Sequence, residues 1–168
     1  MQKFDLIIVG GGLAGASLAI ALRDTPLRIA LVEHQPPSRP AGWDARVYAI
    51  SPANMAFLDR IGARKHLDAD RISQIRGMDV RGDAGGRVVF SAYEAGVPEL
   101  GWILESSLMA CEFWESAKRQ GNLTLLCPSR PKSLEFEADG ARLELADGSL
   151  LAARLLVGAD GRDSWVRQ

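Results

Sequence analysis

The residues best suited to chemistry lie near the amino terminus, where Gly10-Gly11-Gly12-Leu13-Ala14-Gly15 satisfies the spacing GxGxxG. An acid, Glu33, stands about 20 residues further on. Residues of these types at this spacing can hold a phosphorylated adenosine. Gly10 allows a strand to turn sharply, Gly12 has no Cβ to keep a diphosphate from the backbone, and Gly15 allows a helix to pack closely on the strand. A helix opening at Leu13 and Ala14 turns unpaired N–H groups and the positive end of its dipole toward phosphate charge. Glu33 can accept both hydroxyls of a ribose, and its negative charge disfavours a 2′-phosphate, hence NADP. FAD and NAD both satisfy these residues. A similar glycine turn and acid serve S-adenosylmethionine sites, so a methyltransferase is a further reading.

Elsewhere the reactive side chains are scattered. His34 and His66 have no neighbours that would build a triad or a metal site, and each is expected on the surface or in a structural role. Cys111 and Cys127 fall in different elements and form no CxxC, so reduced, half-buried thiols are expected rather than a disulfide or zinc ligands. No catalytic acid, base or nucleophile and no metal ligand is assigned.

The elements that must position the glycine turn are legible around it. Phe4–Val9 is a continuous apolar run, the mark of a strand buried on both faces of a parallel sheet. Leu13–Arg23 reads as a helix with Gly15 and Ala19 on one face, stopped by Pro26, and Arg28–Glu33 reads as a second parallel strand. Strand, glycine turn, helix and strand make a right-handed βαβ unit. A proline-rich loop follows over His34–Trp43. Ser51-Pro52 then starts a helix, with Ser51 as N-cap, that ends at Gly62. Arg76–Arg81 and Arg87–Ala92 read as two antiparallel strands.

A third helix, capped by Ser106 or Ser107, carries Leu108, Cys111, Trp114 and Ala117 on one face and ends by Gly121. Leu123–Leu126 is a short strand, and Ser133–Ala138 with Arg142–Ala146 forms a hairpin around Asp139-Gly140. Asp147-Gly148 turns into Ser149–Ala153, and Arg154–Val157 reads as another buried strand that delivers the chain to Gly158-Ala159-Asp160-Gly161. Ser164–Gln168 reads as the first turn of a helix.

With 168 residues, 47% hydrophobic and 24% charged, the composition fits one globular domain. The formal charge of -1, with no cluster of Lys and Arg, speaks against nucleic acid as a partner. The apolar stretch Leu6–Leu22 follows Asp5, is interrupted by glycines and runs into Arg23-Asp24, which fits neither a signal peptide nor a membrane span. A cytoplasmic protein is expected, with peripheral contact to the inner membrane left open.

Two further constellations narrow the reading. Asp44, Arg46, Ala49, Ile50 and Ser51 follow the pattern D-x-R-x-x-A-[LI]-S, and the helix after them ends Leu58-Asp59-Arg60-Ile61-Gly62. Gly158-Ala159-Asp160-Gly161, then Ser164 and Arg167, follow G-A-D-G-x-x-S-x-x-R. With the amino-terminal GxGxxG, the chain resembles the class A flavoprotein aromatic hydroxylases (FAD-dependent monooxygenases), in their ubiquinone-biosynthesis (UbiH/UbiF/VisC-like) branch. The resemblance spans essentially the whole chain, in the same order. It departs after Glu105, where Ser106-Ser107 stands in place of an amide followed by a polar residue.

The resemblance implies an α/β, Rossmann-like FAD/NAD(P)-binding fold in three layers, with a parallel sheet and an antiparallel β-meander. It implies FAD as cofactor, NAD(P)H as reductant, and O2-dependent hydroxylation of an electron-rich aromatic ring on a polyprenylated small molecule. Carried over by position, Gly10, Gly12, Leu13, Ala14 and Gly15 would face the diphosphate, and Glu33 the ADP ribose. Arg46 would lie beside the flavin or diphosphate, and Asp160 and Gly161 in a turn near the diphosphate.

The family's second FAD motif and its substrate domain do not occur in these residues. The reading is therefore an incomplete amino-terminal FAD-binding domain over residues 1–168, truncated before the substrate domain, inactive alone and prone to self-association. Other readings are a reductase, cyclase or halogenase of the same fold, and a nucleotide-binding fragment without activity.

Overall fold

The structure, a computed structural model, describes residues 1–168. In chain order the elements are β1 (Gln2–Val9), α1 (Leu13–Ala21), β2 (Ile29–Val32), β3 (Val47–Ile50), α2 (Pro52–Arg60), β4 (Ser73–Ile75), β5 (Gly77–Arg81) and β6 (Arg87–Ser91). They continue with β7 (Gly101–Glu105), α3 (Ser106–Lys118), β8 (Leu123–Leu126), β9 (Pro131–Glu137), β10 (Gly140–Leu145) and β11 (Leu150–Gly158). The chain divides into two compact units, one of Met1–Arg39 with Ala110–Gln168 and one of Pro40–Met109.

The first unit is built on a six-stranded sheet of order β8-β2-β1-β11-β10-β9. β8, β2, β1 and β11 are parallel, and β11, β10 and β9 continue as an antiparallel meander. Alternation along the central strands separates two apolar layers. Leu6, Ile8, Ile29 and Leu31 pack with Ala19 of α1. Ile7, Val9, Ala30 and Val32 pack with Leu143, Leu145 and Leu151 of the meander. Helix, parallel sheet and meander are the three layers expected. β1 and β2 are buried because both of their faces are covered, which accounts for their unbroken apolar runs.

The second unit holds a three-stranded antiparallel sheet, β3-β7-β4, and a separate hairpin, β5-β6. Ser51 caps α2 by accepting from the Asn54 N–H at 3.3 Å, and Pro52 occupies its first turn. Gly62 closes that helix at φ +71°, a left-handed conformation that glycine adopts without penalty. In the hairpin, Met78 pairs with Phe90 and Val80 with Val88 on one face, and all four are exposed. The other face carries Asp79 ion-paired to Arg81 and Arg87. The ribbon thus has one apolar face and one mixed face, where exposed Val89 stands opposite Asp79.

Several expectations are corrected. β3, β4 and β7 are strands that periodicity did not mark, because each is short and takes its pairing from distant residues. α1 ends at Ala21 rather than Arg23. Arg154–Val157 is not buried: Leu155 is 58% exposed, because β10 pairs with β11 only as far as Ala153 and leaves one edge bare beyond it. Ser164–Gln168 forms turns rather than a helical turn, with the Gln168 N–H donating to the Trp165 carbonyl. On α3 the buried positions are Leu108, Met109, Phe113, Trp114, Ser116 and Ala117, and Cys111 is half-buried beside that stripe.

Candidate nucleotide site

The glycine turn joins β1 to α1, and each glycine is held there for a different reason. Gly10 has φ +104°, and a Cβ on it would stand 2.4 Å from the Ala159 carbonyl oxygen. Its N–H donates to the Val32 carbonyl, while the Ala159 N–H donates to the Val9 carbonyl. The turn is thus pressed between the ends of β2 and β11. A Cβ on Gly15 would come within 1.9 Å of the Gly10 carbonyl oxygen, which fixes how closely α1 crosses the turn. Gly12 caps α1 with extended backbone, and nothing lies within 4 Å of where its Cβ would be. No side chain caps the first turn of α1 and no acid lies in it, so the N–H groups near Leu13 and Ala14 are left for an anion.

Glu33 closes the other side. Its Oε2 accepts from the Gly11 N–H at 2.6 Å, and its Oε1 accepts from the N–H groups of His34 at 2.7 Å and Gln35 at 3.1 Å. The side chain is 12% exposed, and His34 Nδ1 lies 2.5 Å from Oε1. The acid therefore clasps the glycine turn and its own loop. Each carboxylate oxygen offers about two acceptor positions, and Oε2 uses one for Gly11, so one remains there for a ribose hydroxyl.

Gly11 is a position that sequence reasoning missed. It is buried, and a Cβ on it would meet Trp114 at 3.0 Å and Glu33 at 3.1 Å. The middle one of the three consecutive glycines, inside the motif but outside its fixed positions, is the available signal. His34, expected on the surface or in a structural role, is 52% exposed and lines the cleft with Nδ1 beside Glu33.

The second motif forms a tight turn on the same side of the sheet. Ser164 Oγ donates to Asp160 Oδ1 at 2.6 Å, and the Val166 N–H donates to Oδ2 at 3.1 Å. Burial by itself raises the Asp160 carboxyl, but these hydrogen bonds outweigh it and hold the group below the ordinary carboxylate range. Both oxygens are engaged within the loop, so Asp160 shapes the turn and Gly161, at φ +89° with open space beside it, is the part left accessible.

Gly10, Gly12, Glu33, Asp160 and Gly161 line one cleft of about 370 Å³ at the carboxyl ends of β1, β2 and β11. That is where open α/β sheets take their ligands, and the volume suits a nucleotide. The open cradle at Gly12, the uncapped helix start and the acid across from them fit an ADP group. Burial pushes both cysteine thiols up, which keeps them protonated and inert near neutral pH.

Arg46 belongs to the second unit, where it is exposed on the strand-entry loop. The expected cap of α3 is corrected there. Neither Ser106 nor Ser107 supplies it: the Ser107 hydroxyl is buried without a partner, and Asp44 Oδ2 accepts from the Ser107 N–H at 2.9 Å. An acid is the stronger cap because its charge also complements the helix dipole.

Fold and cleft together define a dinucleotide-binding α/β protein. More specifically, residues 3–168 match the FAD binding domain family, and the chain belongs to that family, whose cofactor is FAD. Among curated proteins it is 32% identical to 3-demethoxyubiquinol 3-hydroxylase of Escherichia coli, over 99% of this chain and 44% of that protein. It is 37% identical to ubiquinone hydroxylase UbiL of Rhodospirillum rubrum, over 98% of this chain and 38% of that protein. The chain thus spans less than half the length of these relatives.

Among solved structures it resembles p-nitrophenol 4-monooxygenase PnpA from Pseudomonas putida, with a TM-score of 0.79 and 21% identity over 99% of this chain and 43% of that one. It also resembles the Diels-Alderase PyrE3, with a TM-score of 0.76 and 21% identity over 99% of this chain and 34% of that one. These two likenesses establish the fold alone. No helix is long and apolar enough to cross a membrane.

Proposed function

We propose that the whole protein is an FAD-dependent monooxygenase that hydroxylates the aromatic ring of a ubiquinone precursor with NAD(P)H and O2. In this reading residues 1–168 are its amino-terminal FAD-binding part. The observation that carries the reading is the convergence of the glycine turn, Glu33 and the Asp160-Gly161 turn on one cleft, in a chain whose curated relatives are named as ubiquinone hydroxylases. Gly10, Gly12 and Gly15 give the diphosphate its approach, the N–H groups of Leu13 and Ala14 receive its charge, and Glu33 takes the ribose. Asp160 holds Gly161 open to the diphosphate, and Arg46 offers a guanidinium to the anionic part of the cofactor. FAD, when bound and reduced, supplies the reaction with O2, and these residues bind and orient it.

The partner is a small aromatic molecule with a polyprenyl tail, met by peripheral contact with the inner membrane from the cytoplasm. Residues 1–168 alone bind nucleotide without hydroxylating, and self-associate through exposed apolar surface such as Met78, Val80, Val88 and Phe90. Titration with FAD, ADP and NADP followed by flavin fluorescence and calorimetry tests the site. FAD and ADP bind in competition and NADP is rejected. Equal affinity for NADP defeats the assignment of Glu33.

A second reading has one observation in its favour. The fold is shared with the Diels-Alderase PyrE3, and a fold does not by itself fix the chemistry, so a reductase, cyclase or halogenase is compatible with it. Turnover of ubiquinol precursors with NAD(P)H, against consumption of NAD(P)H alone, separates the two.

A further inference from the structure

The segment that presents Arg46 is pinned by groups that sequence reading did not connect. Glu105, at the end of β7, is 3% exposed and receives a two-pronged ion pair from Arg71, Nε to Oε1 at 2.6 Å and Nη2 to Oε2 at 2.5 Å. Arg71 also donates to the Gly42 carbonyl at 2.9 Å and lies 4.6 Å from the centre of the Trp43 ring. Glu105 Oε2 accepts the Asp44 N–H at 2.6 Å. Asp44 in turn accepts the Arg46 N–H at 2.8 Å and the Ser107 N–H at 2.9 Å, and the Arg46 carbonyl accepts the Ser106 N–H. Gly42, Trp43, Asp44 and the Arg46 backbone are thereby all fixed. The segment leaves the Arg46 guanidinium exposed and outside any salt bridge, with only a coulombic pull on the Asp44 carboxyl.

We infer that Arg71 and Glu105 are positioning residues whose buried pair sets Arg46 for the anionic part of FAD. The inference rests on the reading of Arg46 given above. Breaking a buried, two-pronged pair frees the 42–46 segment, because the remaining charge must find new partners. Arg71 carries no free charge to the cofactor itself, since Glu105 neutralises it. Any loss of FAD affinity on changing Arg71 therefore passes through Arg46, and the two changes do not multiply.

The test is a double-mutant cycle on the full chain with FAD affinity as readout. Arg46→Ala weakens FAD by about tenfold, and Arg71→Gln does so by a similar factor. The double variant is within about twofold of Arg46→Ala alone, because nothing is left to position. Both single variants flatten the salt dependence of FAD binding, which loss of a neutralised pair by itself does not do. Arg71→Lys, which keeps the cation and one bond to Glu105, recovers most of the affinity and covers the case in which Arg71→Gln does not fold. Effects that multiply, or an Arg71→Gln protein with lower Tm but unchanged FAD affinity and salt dependence, overturn the inference. If Arg46→Ala itself leaves FAD binding and its salt dependence unchanged, the reading of Arg46 falls and the inference with it.

Discussion

Gly11 donates its backbone N–H to Glu33 Oε2 at 2.6 Å, so the glycine turn and the acid across from it are one hydrogen-bonded unit. Their joint orientation is fixed by Trp114, against which Gly11 packs. Loss of the acid therefore affects both halves of the site.

Glu33→Gln keeps the shape of the side chain and removes its charge. Affinity for FAD or ADP falls by about 10–100-fold, as expected for the loss of charge-assisted hydrogen bonds of about 1.5–3 kcal/mol. Discrimination against NADP falls with it. Calorimetric titration of the three nucleotides checks both, and an unchanged ADP affinity contradicts the assignment.

Gly12 and Gly15 separate binding from stability. Gly15→Ala drives a methyl into the Gly10 carbonyl, 1.9 Å away, and destabilises the fold by about 1–3 kcal/mol or more. Gly12→Ala meets no protein atom within 4 Å, at a φ of -67° that alanine adopts, so thermal stability changes little. Its methyl enters the phosphate cradle and weakens FAD by about tenfold, the loss of one charge-assisted hydrogen bond. Thermal melts beside FAD titrations show the two effects falling on different variants.

Ser164→Ala deletes the bond to Asp160. The cost is about 1 kcal/mol, or about 2–4 °C in Tm for a chain of this size. With that donor gone the Asp160 carboxyl moves up, visible in an NMR titration of the side-chain carboxyl.

Acid weakens the protein at carboxylates held low by the fold, Glu105, Asp44 and Asp160 among them. Burial alone would raise Glu105, but the Arg71 hydrogen bonds and the Asp44 N–H outweigh it and hold it below its ordinary value. Asp44 is lowered by the N–H groups of Arg46 and Ser107, and Asp160 as described above. Each is lower in the folded state than in the unfolded one. Their contribution is therefore complete above the ordinary carboxylate range, near pH 4, and is lost progressively as pH falls below that range through the lower folded-state values. Melts from pH 7 to pH 3 show Tm level at first and then falling. Glu105→Gln makes that fall shallower, and a Tm that rises on acidification contradicts the account.

Self-association is addressed on the hairpin. Val80→Lys and Phe90→Lys lie on its exposed face, so they leave the fold intact and reduce the mass measured by light scattering. An unchanged mass points to another surface, such as the bare edge beside Leu155.

The sequence by itself determined the elements whose patterns are local. The apolar run of β1, the glycine turn, β2 ending at Glu33, the Ser51 cap and the Asp139-Gly140 hairpin each follow from residues near one another in the chain. The candidate cofactor residues of the βαβ unit could be proposed for the same reason, since glycine turn, helix start and acid all fall within about 30 residues. Only the tertiary structure decided what depends on distant partners. It seated Ala159 against Gly10, packed Trp114 on Gly11, gave the cap of α3 to Asp44 rather than to Ser106 or Ser107, and buried Glu105 against Arg71. A side chain's partner across the fold is set by strand pairing and by helix packing. Local periodicity records which face of an element is apolar, but not what that face will meet.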